Sequence, residues 1–217
     1  MRKALLASVD AYRQPYTTTN NVNDMNELRA ILQGRGFSVT SLVDGAATKT
    51  NILNSLRQLV QSAYAGDSIC FFFAGHGGQM PSSEPDGTSE CLCAYDWERG
   101  GLVWDREIDS IIATVRPGVN CDLIFGCCFS GGIVETPGPS VISWQACGEL
   151  EYSYVMRMSN GSYRGLFALF LCDLARSYPT ASRGDIYDTV AYWVQRYAPQ
   201  HPVLRCTATE RNQPMFS

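Results

Sequence analysis

The chain has 217 residues, of which 45% are hydrophobic and 18% charged, against about 25% charged in typical soluble domains. This length and composition suffice for a hydrophobic core without disulfide or metal staples, which excludes an intrinsically disordered protein. The 17 basic and 21 acidic side chains give a net charge of −4 with no run of like charges, so nucleic acid is not an expected partner. No apolar run approaches the roughly 18 residues of a membrane helix, so no membrane association is expected either, and the short run before Asp10 fits a first strand better than a signal peptide.

Short apolar runs alternate with segments of helical periodicity along almost the whole chain. Strands are predicted at residues 3–9, 37–43, 68–73, 121–125, 141–147 and 202–207, and helices at 25–32, 52–63, 108–115, 166–174 and 186–197. The alternation predicts one α/β domain over residues 1–217, a three-layer α/β/α sandwich with a mostly parallel six-stranded sheet. Residues 79–101 and 131–140, rich in Gly, Pro or Ser, are predicted to be irregular. Both follow strands, at the sheet edge where α/β proteins place their sites.

The nine cysteines are an odd number, and most of them lie within apolar runs, where a reduced thiol behaves as a small hydrophobic group. This usage indicates a reducing compartment, and we expect a cytoplasmic protein. Cys91 and Cys93 are separated by one residue, which is too close for a usual zinc ligand pair, and the two histidines lie elsewhere in the sequence. No metal site is expected there.

Two glycine-rich loops carry the candidate chemistry. The third predicted strand is followed by Ala74-Gly75-His76-Gly77-Gly78, and the fourth by Gly126-Cys127-Cys128-Phe129-Ser130-Gly131. Consecutive strands of such a sheet are usually neighbours, so a histidine and a cysteine 52 residues apart (128 − 76) can lie side by side. A Cys/His dyad is therefore plausible.

This pair of residue types suits nucleophilic catalysis because the thiolate is the reactive form and an adjacent imidazole can remove the thiol proton. The backbone N–H groups of Gly77 and Cys128 could stabilise an oxyanion, a contribution of about 3 kcal/mol for each donor. Cys127 is a rival nucleophile, and strand alternation points it and Cys128 to opposite faces. Spacing alone does not choose between them.

These motifs resemble the caspase/metacaspase clan of cysteine peptidases, and most closely the metacaspases and bacterial orthocaspases. The metacaspase pattern is a strand followed by Ser-Gly-His-Gly, and a later strand followed by Asp-(Ser/Cys)-Cys-His-Ser-Gly. Here Ala74 replaces the Ser, Gly126 replaces the Asp and Phe129 replaces the second His. Further segments that resemble metacaspases are 23–24, 34–37, 47–52, 66–67, Asp96, 165–167 and 200–202. The ordered set covers nearly the whole chain, and no prodomain is expected.

The resemblance implies a caspase-like fold, with residues 1–130 similar to the large part of such enzymes and 141–217 to the small part. It also implies that His76 is the general base and Cys128 the nucleophile of a cysteine endopeptidase that acts on proteins or peptides through a thioester. Cleavage after Arg or Lys is implied, with Asp24 and Asp96 in the pocket for that side chain; Asp24 could instead favour a helix N-terminus, and Asp96 could hold a loop.

The departures at Ala74 and Gly126 remove two polar groups from this substrate-binding pocket, and Phe129 alters the wall beside the nucleophile. No arginine matches a pocket position that would favour Asp in the substrate; Arg13 is the nearest candidate, and we interpret it as a solvated loop charge.

No cofactor is implied in the chemical step. Metacaspases often need calcium, and the acidic side chains in the corresponding loop are Glu84, Asp86, Glu90 and Asp96. Calcium prefers six to eight oxygen ligands, but the residue after Asp96 is Trp97, so we interpret these acids as a solvated loop and keep calcium activation as an alternative.

Two other functions remain open. An α/β-hydrolase-like esterase would use residues 126–130 as a nucleophile elbow, residues 76–78 as an oxyanion loop and His201 as base, but the elbow lacks its second glycine. A catalytically degenerate caspase-fold domain could bind a partner without cleaving it, as the changes at the three motif positions allow. Because Arg and Lys are absent between Arg116 and Arg157, a basic-specific enzyme is predicted to act as one uncut chain or to be cut elsewhere, near Arg99 or Arg157. We expect a monomer.

Overall fold

The computed structural model describes residues 1–18, 20–83 and 87–217 of the chain. Its strands are β1 (Arg2–Ser8), β2 (Ser38–Val43), β3 (Ser68–Ala74), β4 (Gly77–Pro81), β5 (Thr88–Cys93), β6 (Leu102–Trp104), β7 (Asn120–Gly126), β8 (Val141–Gln145), β9 (Val155–Arg157), β10 (Tyr163–Gly165) and β11 (Val203–Arg205). Its α-helices are α1 (Asn21–Gly34), α2 (Lys49–Gln61), α3 (Asp105–Ile112), α4 (Leu166–Ser177), α5 (Arg183–Tyr197) and α6 (Ala208–Arg211).

Six strands form the central sheet in the order β11-β8-β7-β3-β1-β2. All neighbours run parallel except β11, which pairs antiparallel with β8 at one edge. The mostly parallel six-stranded sheet predicted from the sequence is confirmed, and each of the six predicted strands has its counterpart. Because β3 and β7 are neighbours, the two glycine-rich loops that follow them leave the sheet side by side.

Successive side chains along each strand point to opposite faces of the sheet and belong to two separate hydrophobic cores. In β3, Phe71 and Phe73 face the layer of α2 and α3, whereas Cys70 and Phe72 face the layer of α1, α4 and α5. Every residue of β3 is buried, as expected for a central strand covered on both faces. The result is the predicted three-layer sandwich, with its carboxyl edge left for the loops.

The start of α1 shows how the chain after β1 is fixed near this edge. The carboxylate of Asp10 accepts the backbone N–H groups of Asn21 and Val22, at 3.0 and 3.3 Å. These are two of the donors that the first turn of a helix leaves without a helical partner. Asp10 therefore caps α1, and Asp24, which lies inside the helix, is available for a different contact.

The prediction of irregular structure over residues 79–101 is wrong for residues 79–81 and 88–93, which belong to β4 and β5. Strands β4, β5 and β6 form a three-stranded antiparallel sheet beside the main one. Its central strand buries Cys91 and Leu92 at 1% and 0% exposure, so packing stabilises a segment whose Gly, Pro and Ser content favours turns. The hairpin of β9 and β10 and the helix α6 were also not predicted, because elements of three or four residues show no periodicity.

Within the described ranges, no helix combines the length and apolar character needed to cross a membrane. All nine cysteines are free thiols.

Candidate active site

His76 lies in the turn between β3 and β4, which we call the histidine turn (residues 74–78). Its backbone N–H donates to the Tyr12 hydroxyl at 3.0 Å, and that hydroxyl donates to the carbonyl of Cys93 at 2.6 Å. The ring atom Nε2 lies 2.7 Å from the carbonyl oxygen of Tyr16. Because a carbonyl can only accept, Nε2 carries the proton and Nδ1 keeps its lone pair in the neutral imidazole. Nδ1 is therefore the atom that can remove a proton.

Cys128 lies in the turn after β7, which we call the cysteine turn (residues 126–131). Cys127 is 1% exposed and belongs to the core beneath α2 and α3, whereas Cys128 is only partly buried. Burial raises the pKa of Cys127 well above its usual value. A buried thiol that resists ionisation is a poor nucleophile, so the structure favours Cys128.

The register of the sheet brings the two turns together. Ala74 of β3 pairs with Gly126 of β7, so His76 and Cys128 are each the second residue beyond the same pair. A Cβ atom added to Gly77 would lie 2.0 Å from the carbonyl oxygen of Cys128. The two turns are thus in direct backbone contact, and only glycine fits at position 77 without moving them apart.

The Cys128 sulfur is surrounded mainly by neutral groups. It accepts the backbone N–H of Ser153 at 3.3 Å, and it lies 3.9 Å from the Ser153 carbonyl oxygen, to which the thiol can donate. Burial raises the pKa of Cys128, against a lowering by the N–H groups of Ser153 and of Cys128 itself. Cys93 and Cys147 are nearby thiols whose pKa values are also raised. Cys128 is therefore a protonated thiol at neutral pH and needs a base to become a nucleophile.

The predicted oxyanion donors lie on the two facing turns. Since the N–H of Cys93 donates to the carbonyl of His76, Gly77 and Leu92 form a non-hydrogen-bonded pair of the β4–β5 ladder. The N–H of Gly77 consequently points away from β5 and is not used by the ladder. This orientation is compatible with the predicted role of Gly77, which stays a prediction together with that of the Cys128 N–H.

Asp24, predicted to bind a basic substrate side chain, is already paired within the chain. It is 2% exposed, and its carboxylate accepts both Nε of Arg164 and the backbone N–H of Gly165, the latter at 2.8 Å. Burial raises the pKa of Asp24 to about 6, although Arg164 and Gly165 lower it. A substrate cation could reach this carboxylate only in place of Arg164.

Asp96 lies on the other face of the sheet, so the structure does not bring the two predicted pocket carboxylates together. Its side chain accepts the backbone N–H of Lys49 at 2.9 Å at the start of α2. It also borders an open cavity of about 800 Å³, which Arg13, Glu98 and Arg99 line as well. Arg13 lies 3.5 Å from Glu98 and its side chain is 80% exposed, in line with the solvated charge that we expected.

The other predicted substrate-binding positions differ from each other. Ala74 is 1% exposed and packs into the core beneath α1 and α4, so its side chain offers no surface to a substrate. Gly126 is partly exposed, and a Cβ atom there would meet its nearest neighbour, the carbonyl oxygen of Phe73, at 3.5 Å. A Cβ atom therefore fits at position 126, whereas a side chain at position 74 would lie in the core and not contact a substrate.

Phe129 follows the candidate nucleophile with a φ of 56°, in the left-handed region that side chains other than glycine and asparagine rarely adopt. Its ring packs edge-on against Tyr152, with 5.2 Å between the centroids, and its N–H donates to the carbonyl of Glu151 at 2.9 Å. Tertiary contacts thus hold a strained backbone directly beside Cys128.

Of the acids considered for calcium, Glu84 and Asp86 lie outside the described residues. Glu90 is buried and accepts Nε2 of Gln79 at 2.7 Å, and Asp96 is used at the start of α2. Among the residues that the structure describes, no three acidic, histidine or cysteine side chains are grouped as a metal site requires. The interpretation of these acids as a solvated loop is thus wrong for Glu90, which is 2% exposed, and calcium activation stays an untested alternative.

Three participants were missed by sequence reasoning: the carbonyl of Tyr16, the backbone of Ser153 and the side chain of Arg164. The first two act through backbone atoms, which carry no residue-type signal. Arg164 gave no signal in the sequence, since its partner Asp24 lies 140 residues away.

Comparison with known proteins identifies the class to which this fold and site belong. Residues 2–137 match the metacaspase family, described as a metacaspase, peptidase C14 domain. Metacaspase-1A of Aspergillus fumigatus is 32% identical over 150 residues, covering 63% of this chain and 36% of that protein. Metacaspase-1 of Emericella nidulans is 31% identical over 150 residues, covering 63% of this chain and 37% of that protein.

A solved structure, protein GSU0716 from Geobacter sulfurreducens, matches with a TM-score of 0.75 at 20% identity, over 100% of this chain and 99% of that one, which shows the fold. The chain belongs to the metacaspase family, whose members are C14 peptidases. It spans just over a third of the length of the curated relatives that it matches. The esterase alternative is thereby set aside.

Proposed function

We propose that this protein is a cysteine endopeptidase in which His76 and Cys128 form the catalytic dyad. The observation that carries the proposal is the register of β3 and β7, which places both residues two positions beyond one strand pair, on turns in backbone contact. Membership of a peptidase family supports it.

The proposed reaction starts with Cys128 as a thiol. Nδ1 of His76 takes the Cys128 proton, and the sulfur attacks the substrate carbonyl carbon while the N–H groups of Gly77 and Cys128 stabilise the oxyanion. The C–N bond then breaks as the imidazolium returns its proton to the leaving amine, and a thioester remains. Water, deprotonated by His76, attacks the thioester and releases the carboxylic acid product and the thiol. The carbonyl of Tyr16 keeps Nε2 protonated and so directs both proton transfers through Nδ1.

A substrate backbone has a place to bind beside the nucleophile. Within the described part of the chain, β9 pairs only with β10. The backbone hydrogen bonds across this hairpin are made at Tyr154 and Met158, and bonded residues alternate along a strand. The backbone N–H and C=O groups of Val155 and Arg157 therefore point away from β10. Ser153 has the same parity along the strand and directs both backbone groups at the Cys128 sulfur. We infer that an extended peptide adds to this open edge with its scissile carbonyl next to Cys128.

The proposal extends to cleavage after Arg or Lys, as the family resemblance implies. For this preference to hold, the substrate cation must replace Arg164 at Asp24 or bind beside Asp96. A panel of fluorogenic peptides ending in Arg, Lys, Asp, Asn or an apolar residue measures it directly. Hydrolysis after Asp alone would refute the assignment of both carboxylates without affecting the dyad.

The dyad itself is tested by substitution and labelling. We expect Cys128→Ala to abolish peptide hydrolysis, whereas Cys206→Ser, which changes another partly buried thiol with Glu210 and Arg183 among its charged neighbours, leaves it unchanged. Iodoacetamide at neutral pH should modify Cys128 first, and His76→Ala should remove that selectivity. Uniform slow labelling of several cysteines, with no hydrolysis of any peptide, would instead favour a degenerate interaction domain.

A further inference from the structure

The segment from Ala146 to Tyr154 wraps around the cysteine turn. The N–H of Phe129 donates to Glu151, the N–H of Ser153 donates to the Cys128 sulfur, and a Cβ atom at Gly131 would lie 2.4 Å from the backbone nitrogen of Glu149. The segment contributes backbone atoms to each of these contacts, and one contact is made to the sulfur itself, so any movement of the segment changes the surroundings of the sulfur. Whatever holds this segment therefore also sets the environment of the nucleophile.

One buried side chain joins the two ends of this segment. Gln200 is 0% exposed; its Nε2 donates to the carbonyl of Ala146 at 2.7 Å and its Oε1 accepts the N–H of Tyr154 at 2.9 Å. The partner types define which end of the amide is which, because a carbonyl needs a donor and an N–H needs an acceptor. A single amide thus joins two residues that are eight positions apart in the sequence.

His201, the residue after Gln200, holds the middle of the same segment through Glu151. The Glu151 carboxylate accepts the N–H groups of Gly148 and His201, at 3.0 and 2.8 Å, and its other oxygen lies 2.6 Å from Nδ1 of His201. Burial raises the pKa of Glu151, but the bonds from His201 and Gly148 outweigh it and hold the pKa below its usual value. Residues 200 and 201 therefore hold the segment at three points: both ends and the middle.

We propose that Gln200 is a positioning residue for catalysis, which holds the Ser153 N–H against the Cys128 sulfur by tying Ala146 to Tyr154. The inference rests on the proposed function, since it assigns a role relative to Cys128 as nucleophile. An N–H donated to sulfur favours the thiolate, and at Cys128 it opposes the effect of burial. Without this hydrogen bond the Cys128 thiol is less acidic, so His76 removes its proton less readily. Substrate binding along β9 is less affected.

The test compares Gln200→Met with Gln145→Met. Met is similar in length to Gln and makes no amide hydrogen bonds. Gln145 is also 0% exposed, and its amide donates to the Val134 carbonyl at 2.9 Å and accepts from Arg205 at 3.4 Å. Iodoacetamide alkylation of Cys128 is followed by peptide mass spectrometry from pH 7 to about 12, together with kcat, KM and the unfolding midpoint. We expect Gln200→Met to move the alkylation midpoint upward by about one pH unit and to lower kcat about tenfold with KM nearly unchanged. Gln145→Met should lower the unfolding midpoint without moving the alkylation midpoint.

A second variant keeps the test decisive if Gln200→Met does not fold. Ser153→Pro removes the donating N–H itself and leaves Gln200 in place, and it should raise the alkylation midpoint in the same direction. An unchanged midpoint in whichever of the two variants folds overturns the proposal. If Cys128→Ala still hydrolyses peptides, the proposed function fails instead, so the two failures are distinguishable.

Discussion

Arg164→Met tests whether the buried pair with Asp24 stabilises the fold as its geometry indicates. The Asp24 pKa of about 6 lies roughly two units above its usual value of 3.8, so ionised Asp24 already costs about 3 kcal/mol at pH 7 relative to the protonated form. The folded-state pKa of Asp24 is higher than its unfolded-state pKa. The stabilising contribution of protonated Asp24 is therefore fully present below pH 3.8 and is lost as the pH rises through 6. Without Arg164 the pKa rises further and the carboxylate has no cation.

We expect Arg164→Met to lower the free energy of unfolding by about 3 kcal/mol at pH 7, within the range for breaking a buried ion pair. At pH 5, where Asp24 is protonated in both proteins, the loss should be about 1 kcal/mol smaller. Urea unfolding followed by tryptophan fluorescence measures both values. The matched control is Arg176→Met, which breaks a half-exposed pair with Glu27 and should cost less than about 1 kcal/mol at either pH.

The double variant Asp24→Asn/Arg164→Met, which removes both charges, should recover part of the lost stability at pH 7. A loss below 1 kcal/mol for Arg164→Met at pH 7, or an equal loss at pH 5 and pH 7, would refute the claim that a buried carboxylate depends on this arginine.

Three further outcomes follow from the turns and the chain between them. Gly77→Ala should reduce kcat/KM at least about 100-fold because its Cβ would meet the Cys128 carbonyl at 2.0 Å, whereas at Gly78 the nearest atom is a movable sulfur at 3.2 Å and the loss should stay under about tenfold. Gly126→Asp should raise the ratio of Arg-peptide to apolar-peptide hydrolysis, and Gly126→Asn should not; equal ratios would contradict a pocket at that position. Intact-mass analysis of active enzyme should show no cut within residues 117–156, where the sequence has no Arg or Lys, and a product cut there would exclude self-processing after a basic residue.

The central sheet could be predicted from the sequence because most of its strands contain a short apolar run, and segments of helical periodicity separate these runs. In β3 and β7, seven-residue runs end in glycine-rich turns, and neighbouring order in the sequence became neighbouring position in the sheet. The choice of Cys128 over Cys127 followed from the motif, and the structure supplies a physical reason in their different burial. These features depend on local composition and on simple topology, which a sequence displays.

The surroundings of the site could not be predicted because they depend on pairings between distant segments. Arg164 reaches Asp24 only because the β9–β10 hairpin folds against α1, and three-residue strands leave no alternation to detect. Ser153 contacts Cys128 through its backbone, so the residue type at position 153 does not indicate the contact. Asp24 was read as a free pocket carboxylate for the same reason: its cation comes from the far half of the chain.

The residues of the proposed site lie partly inside and partly beyond the segment that matches the metacaspase family. His76, Cys128 and Gly77 lie within residues 2–137, the part that matches the metacaspase family. The groups that surround the sulfur or neutralise the predicted pocket (Ser153, Arg164 and Gln200) lie beyond it. Burial alone makes Cys128 a weak acid, so its reactivity depends on donors that the second part of the chain positions. The proposed dyad therefore lies in the part of the chain that matches the family, whereas Ser153 and Gln200, which we propose to act on the acidity of Cys128, lie in residues 141–217.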